Sequence, residues 1–225
     1  MCKYFKYLKT TVLTVMAIVF LLAVAPQEAS AQTSKKQQKQ LQKALDKEYK
    51  TKMAEYKKEN WKLAGSSRTL EVSLLTHYQK LAEDENNKEF VGEVSQCQSI
   101  NVCKQFALTN ALNRYATLAS GHVKGRIETM MRADAVMPQV EMDKFIAAYE
   151  NLVKAEVSGV LTESYSIVRE KGANKEYKTF FIVNEEKAGA ARRRAMERSL
   201  LETQMAIKEA EEISKYVNEG FNLEQ

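Results

Sequence analysis

The chain has 225 residues, and its Lys and Arg side chains outnumber its Asp and Glu side chains to give a formal net charge of +5. Domains that bind nucleic acids are usually far more basic, so this charge does not indicate a nucleic-acid partner. The sequence contains eight glycines and two prolines, which leaves little of the flexible loop that phosphate-binding and catalytic motifs need.

The first 31 residues have the pattern of a cleavable secretory signal. Three lysines precede an apolar run from Thr11 to Ala25, and the small-residue pattern Ala29-Ser30-Ala31 follows. An uncleaved membrane anchor is the alternative, but it needs about 20 apolar residues and this run is shorter. We therefore expect cleavage between Ala31 and Gln32. Cleavage would lower the net charge from +5 to +3, because the signal carries three lysines and one glutamate. The mature protein is expected to be exported, and to be periplasmic or associated with the outer membrane.

Residues 32–64 are predicted to form a lysine-rich amphipathic helix. Residues 32–63 carry a net charge of +6, and apolar residues recur at helical spacing: Leu41, Leu45, Tyr49, Met53 and Tyr56. Such a helix could bind an anionic membrane or polysaccharide surface. We favour the alternative that it docks within the protein, because residues 199–225 carry a net charge of −4. Helices of opposite charge with narrow apolar seams are suited to coiled-coil pairing. Residues 35–61 are therefore expected to pair antiparallel with the end of the last helix.

Residues 65–225 are predicted to form a single α+β domain. The break at Ala64-Gly65 ends the first helix, and Ser66 or Ser67 is expected to cap the next. The hydrophobic pattern then predicts, in chain order, a helix at 70–81, a short strand at 89–96, a central helix at 101–132, a helix at 141–157, strands at 160–169 and 176–184 that form a hairpin, and a final helix capped by Asn184.

The central helix is expected to be buried around most of its circumference. Its bulky stripe consists of Leu108, Leu112, Tyr115, Ala119, Val123 and Ile127. Its small-residue stripe consists of Ala107, Ala111, Ala116, Ser120 and Gly121. A helix with two such faces packs against a sheet on one side and helices on the other. The expected architecture is helix-rich and two-layered, with a small antiparallel sheet, dominated by the hairpin in the C-terminal half, packed on this helix and with additional long helices.

The final helix is expected to run without interruption from Asn184 to Asn218. No proline interrupts this stretch, Glu185 and Glu186 lie in its first turn, and Gly220 follows as a stop signal. At about 1.5 Å per residue the helix would extend roughly 50 Å. Because a small domain is shorter than this, part of the helix is expected to project.

The order of elements from Glu89 to Ala206 resembles the order in a known domain. In this chain, Ser158-Gly159-Val160 opens the hairpin. The residues that carry the resemblance are packing residues, namely Ala107, Ala111, Asn113, Leu118, Ala119 and Val123 in the central helix, and Tyr177 with Phe180 to Val183 in the second hairpin strand. On these residues the domain resembles the twenty-kilodalton bacterial surface-lipoprotein family and its periplasmic and flagellar-associated relatives. The whole chain resembles uncharacterised exported proteins of Bacteroides-type bacteria.

The resemblance implies an α/β two-layer envelope domain without catalytic residues. The chain departs from the family in two ways, since no lipid-bearing cysteine follows the signal and two helices precede the domain. Surface anchoring is therefore not implied.

Cys97 and Cys103 are the only cysteines of the predicted mature chain, and they lie between the predicted short strand and the central helix. In an oxidising compartment such a pair favours a disulfide that fixes the loop entering the helix. Two reduced thiols are one alternative. A metal site completed by His77 or His122 is another, although no CxxC or HxxxH spacing supports it.

No catalytic constellation is recognisable in the sequence. It has no GxSxG, HExxH, glycine-rich phosphate loop or EF-hand pattern. We therefore assign no catalytic, cofactor-binding or metal-binding residue, and we expect no cofactor. An envelope hydrolase that uses His122 as a general base is the alternative, and it would require His122 to be exposed in a deep pocket.

Four arginines of the last helix form a candidate contact patch for a polyanion: Arg192, Arg193, Arg194 and Arg198. Guanidinium groups bind carboxylates and phosphates well. The alternative is a solvated face that meets the acidic edge of the sheet. The sequence thus predicts a non-enzymatic envelope protein that binds a protein or an envelope polymer, or that serves as a structural interaction module. Peripheral membrane contact and a homo-oligomer built from the projecting helices are further hypotheses.

Overall fold

The computed structural model describes residues 27–133, 138–203, 211 and 213–223, so most of the predicted signal lies outside the described residues. The chain divides into two compact units, residues 1–50 and 51–225. The elements in chain order are helix α1 (Gln27–Lys58), strand β1 (Lys62–Leu63), helix α2 (Leu70–Ala82), strand β2 (Asn87–Cys97), helix α3 (Ile100–Ala133), helix α4 (Gln139–Ser158), strands β3 (Thr162–Lys171) and β4 (Asn174–Asn184), and helix α5 (Glu185–Glu202). None of the helices in the described ranges is long and apolar enough to span a membrane.

The unit of residues 51–225 is an α+β fold with a small antiparallel sheet, as predicted. Its four strands have the order β1-β3-β4-β2. Strands β3 and β4 form the predicted hairpin, and the turn between them places Gly172 at a φ of +62°, which glycine adopts without strain. Strand β1 was not predicted, because two residues leave no periodic pattern. It pairs with Ile167 and Val168 of β3.

Helices α3, α4 and α5 cover one face of the sheet. Successive residues of a strand point to opposite faces, and Phe181 and Val183 of β4 belong to the same buried cluster as Tyr115 of α3. The central helix is therefore confirmed as the main element against the sheet. Its buried face is narrower than expected, because Leu108 is 39% exposed and Gly121 is also exposed.

Helix α2 and the end of α1 cover the opposite face of the sheet. The ring of Phe180 stacks on Tyr165, with centroids 4.4 Å apart, and lies 6.2 Å from the ring of His77 in α2 and 6.4 Å from that of Tyr56 in α1. Strand β4 carries large aromatic residues on both faces, and each face excludes water only if it is covered. The sheet thus has a second helical layer in addition to the layer that was predicted.

The start of each capped helix is set by a side chain before it. The Oγ1 of Thr69 accepts a hydrogen bond from the backbone N–H of Val72 at 3.3 Å, so Thr69 caps α2. The prediction of Ser66 or Ser67 as this cap is wrong, because the helix begins two residues beyond Arg68. The prediction for α5 is confirmed, since Asn184 Oδ1 accepts from the N–H of Lys187 at 3.2 Å.

The last helix does not continue uninterrupted to Asn218, and that prediction is wrong. Helix α5 ends at Glu202, and the side-chain amide of Asn218 donates to the backbone carbonyl of Gly189 at 3.2 Å. In one straight helix these two residues would be roughly 44 Å apart. The chain therefore turns back, and Ile213, Val217 and Leu223 pack into the core. Pairing between residues 35–61 and the end of the chain stays a prediction, and residues 204–210 lie outside the described part.

Candidate functional site

The two cysteines lie at disulfide distance, with Cα atoms 5.3 Å apart. Cys97 is the last residue of β2 and Cys103 is in the first turn of α3, so the pair joins the end of an edge strand to the start of the central helix. Both residues are buried beside Ala107 and Tyr177. The described residues contain no group of three or more metal-ligating side chains.

His122 holds the segment that follows the last helix. Its Nε2 lies 3.2 Å from the backbone carbonyl oxygen of Tyr216, and because a carbonyl only accepts, this nitrogen carries the hydrogen. The imidazole also packs edge-on against Phe221, with centroids 5.6 Å apart. His122 is half-buried, and its Nε2 makes a structural hydrogen bond.

His77 belongs to a buried aromatic cluster. It is fully buried, its Nε2 lies 2.7 Å from a carboxylate oxygen of Glu89, and its Nδ1 has no partner among the described residues. Beside it the hydroxyls of Tyr56 and Tyr165 share a hydrogen bond of 2.9 Å. Burial raises the pKa of Tyr56 to about 12 and also raises the pKa of Tyr165. The cluster attaches α2 to the sheet.

The structure separates the four arginines of the candidate polyanion patch. Arg192 is only 3% exposed, and its guanidinium donates to Asn218 Oδ1 at 2.9 Å, to Glu185 Oε2 at 3.1 Å and to the hydroxyl of Tyr115. It also lies 3.9 Å from the ring centroid of Phe221. Its inclusion in an external patch is therefore corrected: the sequence placed it two turns into a charged helix, but that position faces the core.

The remaining arginines of the patch are on the surface. Arg194 and Arg198 both donate to the carboxylate of Glu156 in α4, at 2.8 and 3.0 Å. These hydrogen bonds lower the pKa of Glu156, and the bond from Arg194 has the largest effect. Arg193 is exposed. The patch thus consists of one exposed arginine and two that are neutralised by a shared carboxylate.

One cleft of about 430 Å³ lies over the end of the hairpin, on the face covered by α2. Its buried floor is Trp61, whose ring is covered by the guanidinium of Arg169 at 4.5 Å from the centroid. Arg169 also donates to Glu59 at 2.6 Å and to Glu176 at 2.5 Å. Each charge that lines this cleft has an opposite partner, so the arrangement stabilises the strand ends.

A second cleft, of about 360 Å³, lies between α2 and strand β3. It is lined by several hydroxyls and by three cations, Arg68, Lys80 and Lys104. Lys104 pairs with Glu163 at 2.8 Å, and Glu163 is the only acidic side chain in the lining. The lining of this cleft is therefore positively charged.

The outer edge of strand β2 is open. The N–H of Glu185 donates to the carbonyl of Asn86 at 2.8 Å, and the register continues from this pair along β2 and β4. Hydrogen-bonded pairs alternate with non-hydrogen-bonded pairs in an antiparallel ladder. The N–H and C=O groups of Glu89, Val91 and Glu93 consequently point away from β4. Within the described ranges, no strand pairs with this edge.

Helix α3 overhangs this open edge. Gly92 of β2 lies directly against the backbone of Ala107, so the helix crosses the strand at this point. The side-chain amide of Asn110 reaches over the edge and donates to the outward carbonyl of Glu93 at 2.8 Å. Phe106 and Val102 are one and two turns before Asn110 on the same helical stripe. Phe106 is 52% exposed and Val102 is exposed as well, so apolar side chains lie beside the last residues of β2, towards Cys97. In the other direction, Arg114 lies one turn after Asn110, with its guanidinium 5.5 Å from the ring of Phe90.

Sequence reasoning did not identify this edge as a site. The sequence signal that could have indicated it is Phe106, an apolar residue that lies outside both predicted stripes of the central helix. The open backbone groups carry no sequence signal, because every residue has them.

Comparison of the chain with protein-family models, with curated proteins and with solved structures gave no match.

Proposed function

We propose that the protein is an exported, non-enzymatic binding module of the cell envelope that accepts an extended segment of a protein partner along strand β2. The observation that carries this proposal is the set of outward N–H groups of Glu89, Val91 and Glu93 and outward C=O groups of Glu89 and Val91, with the exposed ring of Phe106 one turn before Asn110. An edge strand of this length pairs readily with another chain unless it is blocked. Adding a strand to such an edge is a common way of binding peptides.

The side chains that could have served in catalysis make internal contacts instead, and this favours a binding role. His77, His122 and Arg192 are all engaged in packing and in internal hydrogen bonds. Export rests on the signal pattern of residues 1–31 and the resemblance to envelope proteins, and both favour a partner in the periplasm or at the outer membrane. A hydrolytic activity that is abolished by replacing His122 would contradict the proposal.

The test uses the mature protein and a soluble nine-residue peptide of alternating valine and threonine, with amide exchange followed by NMR. We expect the peptide to protect the amides of Glu89, Val91 and Glu93, and to leave those of Phe90 and Gly92 unchanged, because the latter already bond to β4. A peptide that is N-methylated at alternate positions, on the edge facing β2, should fail to bind. A peptide methylated at the other positions should still bind.

A matched pair of variants tests the same edge from the protein side. Val91→Pro removes one outward N–H and leaves the β2–β4 hydrogen bonds intact, so it should abolish binding without unfolding the protein. Val91→Thr keeps the N–H and the strand geometry and should bind normally. Binding that survives Val91→Pro in a folded protein would show that the peptide uses another surface.

A second function is favoured by the cleft between α2 and β3. Its cations Arg68, Lys80 and Lys104 outnumber its single acid, so it suits a carboxylated envelope polysaccharide. Isothermal titration with a polyuronate chain should show salt-sensitive binding, and the affinity should be lower in Arg68→Ala.

The hypothesis that residues 32–64 bind anionic membranes is tested separately, by sedimentation of the mature protein with phosphatidylglycerol vesicles.

A further inference from the structure

The two sides of an added strand would meet different chemistry. Side chains of an extended peptide alternate between the two faces of the sheet. On the face covered by α2, the neighbours of the added strand are Glu89, Val91 and Glu93. On the face covered by α3, its neighbours are Asn110 and Arg114 beside Glu93 and Phe90, and the exposed side chains of Phe106 and Val102 beside the last residues of β2. The groove is therefore acidic on one side, and its other side is apolar towards the end of β2 that holds Cys97.

The acidic side has room for a cation. The carboxylate of Glu93 is 57% exposed although it pairs with Lys178 at 2.9 Å, and that of Glu89 is 39% exposed although it bonds to His77. Each has a second side open to solvent. Oppositely charged side chains that face each other across paired strands attract, and like charges repel. A basic residue placed opposite either glutamate would therefore be favoured.

A second copy of this chain is a poor occupant for the same reason. Antiparallel pairing of two β2 strands about Val91 would place Glu89 of each copy opposite Glu93 of the other. Four carboxylates would then lie on one face of the joined sheet, which disfavours pairing. The edge is protected against self-association and remains open to a strand of opposite charge.

Resting on the proposed function, we infer that the partner segment alternates basic and apolar residues, with its basic side chains opposite Glu89 and Glu93 and its apolar side chains reaching Phe106 and Val102 beyond Glu93, towards Cys97. The position of helix α3 relative to the strand is fixed by Cys97 and Cys103, which join the two elements that form the groove. The recognised ligand is thus an extended, cationic, amphipathic segment of another protein.

The experiment compares three nine-residue peptides in which valine alternates with lysine, threonine or glutamate, by fluorescence anisotropy at low and high salt. We expect the lysine peptide to bind about tenfold more tightly than the glutamate peptide at low salt, with the threonine peptide between them. The difference should shrink at high salt. In the double variant Glu89→Gln, Glu93→Gln the three affinities should converge, since glutamine still accepts a hydrogen bond from His77. Glu93→Gln alone should give part of the effect.

Phe106→Ser tests the apolar side, and should weaken all three peptides by a similar factor because this residue is exposed and its loss does not affect the core. Equal affinities of the three peptides, with the edge amides protected, would overturn the inferred charge preference and leave the proposed function standing. Absence of binding by any peptide would overturn both. Tight binding of the lysine peptide to Val91→Pro, or dimerisation of the protein through β2, would also overturn the inference.

Discussion

A Cβ atom placed on Gly92 would lie 2.0 Å from the carbonyl oxygen of Ala107. Helix α3 therefore lies so close to strand β2 at position 92 that only glycine, which has no side chain, fits there. The same contact carries the exposed stripe of α3 over the edge of the sheet. It is both a packing requirement and the origin of the candidate groove.

Gly92→Ala should lower the free energy of unfolding by about 3 kcal/mol or more, because the obstacle is helix backbone that cannot rotate aside. The measurement is urea unfolding followed by circular dichroism. Gly121→Ala is the matched control, since a Cβ there meets nothing within 4 Å. In the interior of a helix this second change should stabilise the protein by about 0.5 kcal/mol. Equal unfolding midpoints for the two variants would contradict the close approach.

Arg192→Leu should destabilise the protein by about 3 kcal/mol, because it leaves Glu185 without its buried partner. Hydrogen exchange should also rise at residues 216–221, which Arg192 holds through Asn218 and Phe221. Arg193→Leu is the control, and as an exposed position it should change stability by no more than about 0.5 kcal/mol. Similar effects from both arginines would show that Arg192 is not the interior residue described above.

Replacing Cys97 and Cys103 with serine should cost about 2 kcal/mol, the amount expected when a disulfide closes a short loop. Thermal unfolding of the mature protein, with and without a reductant, measures this effect. The reductant should lower the melting temperature of the unmodified protein to that of the double variant, and should leave the variant unchanged. Two free thiols in the untreated, unfolded protein would refute the disulfide.

Acid should weaken the ion pairs on the hairpin. Hydrogen bonds from Lys171 and then Arg169 hold the pKa of Glu176 below its usual value of 4.5. A carboxyl group whose pKa is lowered by folding stabilises the protein fully above its unfolded pKa, and this contribution is lost as the pH falls through the lowered folded value. Urea unfolding from about pH 7 to about pH 3 should therefore show a loss of stability that is smaller in Glu176→Gln. Glu197→Gln, at an exposed position, should retain the full loss.

Alkali should unfold the protein through its buried tyrosines. Burial raises the pKa of Tyr56 to about 12, and also raises the pKa values of Tyr115, Tyr149 and Tyr165. A raised folded pKa favours the native state below the unfolded value, which is about 10. That contribution is lost as the pH rises through the folded value. Tyrosinate absorbance should thus rise together with loss of structure, whereas protein in urea should titrate smoothly near the unfolded value. Early titration of these tyrosines in folded protein would contradict their burial.

The sequence was informative wherever a residue's role depends on spacing or local chemistry. The periodicity of α3, the hairpin around Gly172 and the cap at Asn184 were all predicted and are confirmed by the structure. Each of these features is determined by residues within one or two turns, or within one strand, of each other. The same holds for the proximity of Cys97 and Cys103.

The features that sequence reasoning missed depend on distant residues. The interior position of Arg192 requires partners at Tyr115 and Asn218, which no local pattern connects to it. The return of the chain after Glu202 was hidden because the residues on either side both favour a helix. The edge groove arises from the crossing of α3 over β2, and its hydrogen-bonding groups belong to the backbone. Only the exposed Phe106 could have drawn attention to it.

The segment from Ile213 to Leu223 contributes to the interior although it lies late in the chain. A chain synthesised only as far as Glu202 has neither Asn218 nor Phe221 against Arg192. The surfaces that Val217 and Leu223 cover would then be exposed to solvent. The larger unit therefore completes its core only once this segment has been made.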